Sequence, residues 1–212
     1  MNSVEIENLS KHFVTSPLLP FSKREVNVVL DGISFSVKKG ECIAIVGRNG
    51  AGKTTLIKVL CAVVIPDSGI AKVAGIDVVK DPVGARRKIG YAAGDERSFY
   101  WRLTGRQNLT LFAALQNIQP VEISGKVSGA LELIGLAKKA DTAFKGSSSG
   151  MRQRLSLARC ILHDPEVLIL DEPNSGLDPI LAARFNAFIK DEFINRRGKT
   201  VIFATHDLDD AL

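Results

Sequence analysis

Cysteine is scarce in this 212-residue sequence. Cys42, Cys61 and Cys160 each sit inside an apolar run with no metal-ligand spacing. That excludes a disulfide framework and a zinc cluster, and suits reduced thiols in a cytosolic protein. Long apolar runs are missing too. None approaches the roughly 20 residues needed to cross a bilayer, so any membrane role has to come through a partner. The opening Met1-Asn2-Ser3-Val4-Glu5 lacks a charged region followed by an apolar one, so no signal peptide is expected. Internal repeats and low-complexity tracts are absent. Aromatic residues make up only 6% of the chain, and none of them interleaves with basic residues as a stripe. The formal charge of +5 is scattered over Lys23-Arg24, Lys38-Lys39, Arg86-Arg87-Lys88, Arg152 to Arg159 and Arg196-Arg197. Such an excess suits nucleic acid, an anionic membrane face or polyphosphate. Without the stripe, nucleic acid is not expected as a partner.

What is present is enough apolar residue, 45% of the chain, for one α/β domain with a substantial core. The rest of the chain is organised around Gly47-Arg48-Asn49-Gly50-Ala51-Gly52-Lys53-Thr54-Thr55. Before it, Cys42 to Val46 reads as a buried strand; after it, Leu56, Ile57, Val59 and Leu60 recur at helical spacing. A glycine-rich turn between a strand and a helix start is the context of a phosphate-binding P-loop. The glycines let successive N–H groups point at an anion, and the helix adds its positive dipole end. Lys53 would set a cation on the β- and γ-phosphates, and the Thr54 hydroxyl would ligate Mg²⁺.

Around this centre the pattern alternates strand and helix. Val4, Ile6 and Leu9 open with a strand, and a loop containing Pro17 and Pro20 follows. Val26 to Leu30, Ile33 to Val37 and Cys42 to Val46 read as strands separated by turns at Asp31-Gly32 and Lys39-Gly40. The P-loop helix is expected to run to about Val64. Ile70 to Ala74 and Ile76 to Val79 pair around Gly75, Asp81-Pro82 opens a short helix, and Ile89-Gly90-Tyr91 is a strand. From Gly94 to about Lys145 helical patterns replace strand alternation, with a capping box at Thr104 and Gln107. A serine-rich run at Gly146 to Gly150 opens another helix. Val167 to Leu170 is an apolar strand ending in Asp171-Glu172-Pro173, Asp178-Pro179 starts a helix, and Val201 to Ala204 leads into Thr205-His206.

In parallel α/β sheets, ligands sit at the carboxyl ends of strands. The P-loop, Asp171-Glu172 and His206 each follow an apolar strand, so neighbouring strands would bring them to one edge. Asp171 would hold Mg²⁺ opposite Thr54. Glu172 is placed to orient or deprotonate an attacking water. His206 would hydrogen-bond the γ-phosphate and sense its presence, or make a purely structural contact.

The ordered set formed by residues 47–55, Ser148-Ser149-Gly150-Met151-Arg152-Gln153-Arg154, Leu168-Ile169-Leu170-Asp171-Glu172-Pro173, Ser175-Gly176-Leu177-Asp178 and Thr205-His206 resembles the ATP-binding cassette of ABC transporters, over essentially the whole chain. The resemblance implies a P-loop NTPase core of RecA-like α/β type with an N-terminal antiparallel β subdomain and an inserted helical subdomain. One domain would span 1–212, with 1–93 and 164–212 as core and 94–163 as the helical part. It implies ATP and Mg²⁺, a head-to-tail homodimer with ATP sandwiched between P-loop and signature, a polytopic membrane permease, and a cytoplasmic place on the inner face of the membrane. The usual Leu-Ser-Gly-Gly-Gln signature is matched by Ser147-Ser148-Ser149-Gly150-Met151, with Ser148 and Gly150 at the γ-phosphate positions; taken alone, the same run would suit a linker. Asp178 closes the loop that couples the paired sites. Phe13 falls where the family stacks an aromatic on adenine, and is otherwise ordinary core.

Two departures stand out against that resemblance. Gly94 stands where the family has a magnesium-contacting glutamine, leaving water, Asp95 or Glu96 to take its place, so ATPase activity is expected at a reduced or differently coupled rate. The chain stops at Leu212, where cassettes normally continue, which leaves apolar surface expected to be uncovered. The loop before Lys23-Arg24 and the stretch from Asp95 to Trp101 resemble exporter-type cassettes, including those for polysaccharides and drugs. The rivals are a soluble ATP-gated clamp or regulator and a degenerate, non-hydrolysing cassette.

Overall fold

Alternating apolar positions sort this chain into two sheets with helices between and beside them. The structure, a computed structural model, describes residues 1–15, 25–93 and 98–206. The expectations for Gly94, Asp95 and Glu96, for the proline-containing loop and for the chain end fall outside those residues. The strands are β1 (Asn2–Thr15), β2 (Glu25–Lys38), β3 (Cys42–Val46), β4 (Ser68–Val73), β5 (Ile76–Asp77), β6 (Ile89–Ala93), β7 (Val167–Asp171) and β8 (Thr200–Thr205). One sheet is antiparallel in the order β2-β1-β4-β5, and the other is parallel in the order β3-β8-β7-β6.

The turn expected at Asp31-Gly32 does not form. β2 runs straight through it, and the pairing with β1 shifts register between Leu9 opposite Ile33 and Lys11 opposite Leu30. Gly32, at φ 57, donates its N–H to Ser10 Oγ at 3.0 Å. A glycine at positive φ serves a bulge as readily as a hairpin, and here the long partner strand selects the bulge.

The parallel sheet is covered on both faces, as all-parallel sheets generally are. Val167, Ile169, Ile202 and Ala204 face a core shared with Val4, Ile6, Leu30 and Val73 of the antiparallel sheet and with Leu56, Ile57 and Leu60. Leu168, Leu170, Val201 and Phe203 face the other core, built from the later helices. The expectation that Cys42 to Val46 is buried is corrected. Among the described residues β3 pairs only with β8, and Ala44 and Val46 are exposed on that edge.

The P-loop helix, α1 (Lys53–Leu60), ends short of Val64 because Ala62 takes φ 53 and the N–H groups of Val63 and Val64 both turn back to Lys58 O, at 2.8 and 3.1 Å. This closes the helix with a left-handed residue. α2 (Pro82–Arg87) is capped by Asp81, which accepts from Gly84 N. α3 (Gly105–Leu115) begins at the full Thr104–Gln107 capping box, and α4 (Pro120–Leu133) follows it. α5 (Ser149–Ile161) packs Leu155, Leu157 and Ala158 into the same core as α3 and α4. α6 (Pro179–Ile189) widens into a π-helical segment, Lys190–Arg196, where Glu192 pairs with Arg196 and Arg197 at 2.9 Å each.

Candidate functional site

Strand order decides where the site lies. β8 sits between β3 and β7, so the P-loop strand and the strand ending at Asp171 are not direct neighbours. Val46 pairs with Thr205, and Asp171 pairs with Ala204. The residues after all three strands therefore emerge at one carboxyl edge, with His206 in the middle.

The P-loop turns tightly there. Gly50 and Gly52 take φ 85 and 87. A Cβ on Gly52 would stand 2.6 Å from Val29 O, so only glycine fits beside β2. Ala51 N donates to Arg48 O at 3.1 Å, and Gly47 N to Thr205 O at 3.4 Å. The N–H groups of Lys53, Thr54 and Thr55 open α1, where a helix has no internal acceptor for them, so they form a ready anion cradle. Lys53 is buried, and its ammonium donates to Gly47 O and, at 3.4 Å, to Arg48 O. The Thr54 hydroxyl lies on the exposed side of the first turn.

Glu172 faces this cradle. Its Oε1 is 4.0 Å from Lys53 Nζ, and its Oε2 is 2.8 Å from His206 Nδ1. A carboxylate only accepts, so Nδ1 carries the hydrogen in that bond. The Glu172 backbone is left-handed at φ 51 and is held by its N–H on Ala204 O at 2.8 Å. A non-glycine residue in that conformation stores strain of about 1 kcal/mol or more, which is found at functional sites.

Asp171 is half-buried at the end of β7, facing the α1 side of the sheet. Burial pushes its carboxyl above the ordinary value of 3.8; the hydrogen bond from Tyr91 works against that, and the charge of Glu172 adds to it. A desolvated carboxylate beside a second one is electrostatically suited to a cation. Among the described residues no group of three or more His, Cys, Asp or Glu forms a metal cage. One carboxylate and one hydroxyl match Mg²⁺, which draws its remaining ligands from phosphates and water. The donor set therefore fits the ion.

The other sequence candidates lie apart from this cluster. Ser148 caps α5, its Oγ accepting from Met151 N at 3.3 Å, and Gly150 lies in the first turn beside Leu177. Asp178 caps α6, its Oδ1 accepting from Ile180 N and Leu181 N at 3.1 and 3.0 Å. Phe13 is exposed on β1, with Lys11 Nζ 5.5 Å from its ring centre, so it is not core. Among the described residues no hydrogen bond or ion pair joins these four to the P-loop. Sequence reasoning missed Tyr91, whose hydroxyl is 3.3 Å from Asp171 Oδ2, and Gln153, a buried amide whose Nε2 donates to Ser175 O at 3.4 Å. Gln153 lies inside the 148–154 motif stretch and Tyr91 at the end of a predicted strand, but only helix packing and strand register reveal what each of them touches.

Comparison with known proteins follows the same lines. Residues 30–175 match the family described as ABC transporter. The chain is 34% identical over 188 residues to the ABC transporter ATP-binding protein NatA of Bacillus subtilis, covering 89% of this chain and 75% of that protein. It is 38% identical over 181 residues to the probable multidrug ABC transporter ATP-binding protein YbhF of Escherichia coli, covering 85% of this chain and 31% of that one. It is 35% identical over 183 residues to the Nod factor export ATP-binding protein I of Ralstonia nicotianae, covering 86% and 56%. Among solved structures it is similar to cbiO1 of Clostridium perfringens, part of the ABC transporter complex cbiONQ, with a TM-score of 0.82 and 28% identity over 98% of this chain and 80% of that one. No helix among the described residues is long and apolar enough to cross a membrane. With a P-loop NTPase fold and this pattern of similarity, the chain belongs to the ABC transporter family, as an ATP-hydrolysing, ATP-binding subunit.

Proposed function

We propose that this chain binds ATP with Mg²⁺ on residues 47–55 and hydrolyses it to drive export through a separate membrane permease, from the inner face of the membrane. The observation that carries this reading is the cluster in which Glu172 lies 4.0 Å from the P-loop lysine and 2.8 Å from His206. Lys53 and the first-turn amides hold the phosphates, and Thr54 and Asp171 hold the ion. Mg²⁺ held by Thr54 and Asp171 would supply charge neutralisation to the phosphates. Glu172 orients a water and takes its proton as the water oxygen bonds the γ-phosphorus and the bond from that phosphorus to the β–γ bridging oxygen breaks, so that ADP and inorganic phosphate leave. His206 fixes the Glu172 carboxylate through Nδ1; a contact from Nε2 to phosphate needs the imidazolium form, since Nδ1 already holds one hydrogen.

Ser148, Gly150 and Asp178 act in a head-to-tail homodimer of 1–212 cassettes, with 94–163 as the helical subdomain, and Phe13 stacks on the adenine. The dimer reading is supported by the placement of Ser148, Gly150 and Asp178 at helix starts with, among the described residues, no bond to their own P-loop. Export as the direction draws on relatives named for multidrug and Nod factor export. The permease is supported by the cbiONQ assembly of the structural relative. A groove of about 1000 Å³ beside β6, the edge strand among the described residues, with Val63, Val83 and Leu115 beside Arg86 and Arg87, offers it an apolar and basic seat.

The test is phosphate release by the purified chain with ATP and Mg²⁺, alone and with its permease. Glu172-dependent release is expected. Its absence in both settings rejects hydrolysis and leaves a degenerate cassette.

A further inference from the structure

Strand pairing puts Tyr91 and Asp171 on one face of the parallel sheet. Tyr91 lies directly opposite Ile169, and Asp171 is the next residue of β7 on that face. Diagonal neighbours across paired strands are about 7–8 Å apart, a span that a long aromatic side chain bridges. The Tyr91 hydroxyl does so, donating to Asp171 Oδ2 at 3.3 Å. The other end of the picture is fixed as well, because β6 is the edge strand and the Tyr91 ring forms part of the groove wall beside it. The bond acts at one oxygen of a half-buried carboxylate that has few other restraints in the described residues.

We infer that Tyr91 is a positioning residue for Asp171: its phenol pins Oδ2 and so holds the carboxylate in the orientation in which, with Thr54, it would bind a nucleotide-bound divalent cation. The inference rests on the magnesium role given to Asp171 above. The Tyr91 hydroxyl is bonded to Asp171 Oδ2, so its action on the ion is through that carboxylate. Replacing the phenol by a phenyl ring keeps the groove wall and the strand, and removes the restraint on the carboxylate.

The experiment is equilibrium binding of a fluorescent ATP analogue, first in EDTA and then over a Mg²⁺ titration, with no turnover required. For Tyr91→Phe, binding in EDTA is expected to match the parent, while the Mg²⁺ concentration giving half-maximal tightening rises about three- to tenfold, the scale of one hydrogen bond. Asp171→Asn is expected to remove most of the Mg²⁺-dependent tightening, and adding Tyr91→Phe to it changes nothing further. If Tyr91→Phe leaves the Mg²⁺ titration unchanged while Asp171→Asn abolishes it, the positioning role is wrong. An equal loss of binding in EDTA points to a general disturbance of the fold and also overturns it. If Asp171→Asn itself leaves the titration intact, the magnesium role of Asp171 fails first, and the Tyr91 inference goes with it.

Discussion

Glu172 and His206 come from the ends of adjacent parallel strands, and their side chains meet at 2.8 Å, Nδ1 to Oε2. The contact fixes the carboxylate that also lies 4.0 Å from Lys53. Glu172→Gln keeps the shape and removes the base. Phosphate release should fall by about 10²–10⁴-fold, with ATP affinity little changed. A smaller fall than tenfold in a single-turnover assay would assign the base elsewhere.

Lys53 is buried against the P-loop carbonyls. A charge-assisted bond of this kind contributes about 1.5–3 kcal/mol. Lys53→Ala should therefore weaken ATP binding about ten- to a hundredfold, measured by calorimetry or a fluorescent analogue. Equal affinity in parent and variant would remove the P-loop from the account.

Asp178 has a local task that is separate from any role across a dimer. Its Oδ1 holds two first-turn amides of α6. Asp178→Ala should cost about 1 kcal/mol, a lowering of Tm of about 2–4 °C. Asn caps as well as Asp, so Asp178→Asn should restore the melting temperature. Any remaining loss of ATP-dependent dimer in the Asn variant then reports the charge, not the cap.

Glu192 connects pH to stability. Burial works to raise its pKa, and the hydrogen bonds from Arg197 and Arg196 outweigh it, so the folded carboxyl titrates below the ordinary 4.5. A depressed folded pKa gives stability that is fully present above the unfolded value and lost as pH falls through the folded one. The parent should melt above Glu192→Gln at neutral pH, and the gap should narrow progressively below pH 4.5. A gap that stays constant into acid would show that the ion pairs contribute nothing.

Local chemistry was the legible part of this molecule. The caps at Asp81, Thr104 and Asp178 form where their residue types predict, and Ser148 caps the helix that the serine-rich run was expected to open, because each cap needs only a few neighbouring amides. The reading failed where a local signal serves two structures. Asp31-Gly32 fits a hairpin or a bulge, and only pairing with the length of β1 selects the bulge. Cys42 to Val46 has the apolar character of a central strand, yet lies at an edge. The π-helical continuation of α6 has no sequence signature of its own; it coincides with the pairing of Glu192 to two arginines in its last turn.

By itself the sequence determined which groups are the candidates for the chemistry: a glycine-rich turn with its lysine, two successive acids after an apolar strand, and a histidine after another. Each of those signals depends on residues within one short stretch. The tertiary structure decided how they meet. It placed β8 between β3 and β7, which puts His206 beside Glu172, and it set β6 in register with β7, which puts the Tyr91 phenol on Asp171. Those contacts join residues far apart in the chain, and strand order and register come from packing two cores against one sheet, which no single stretch encodes.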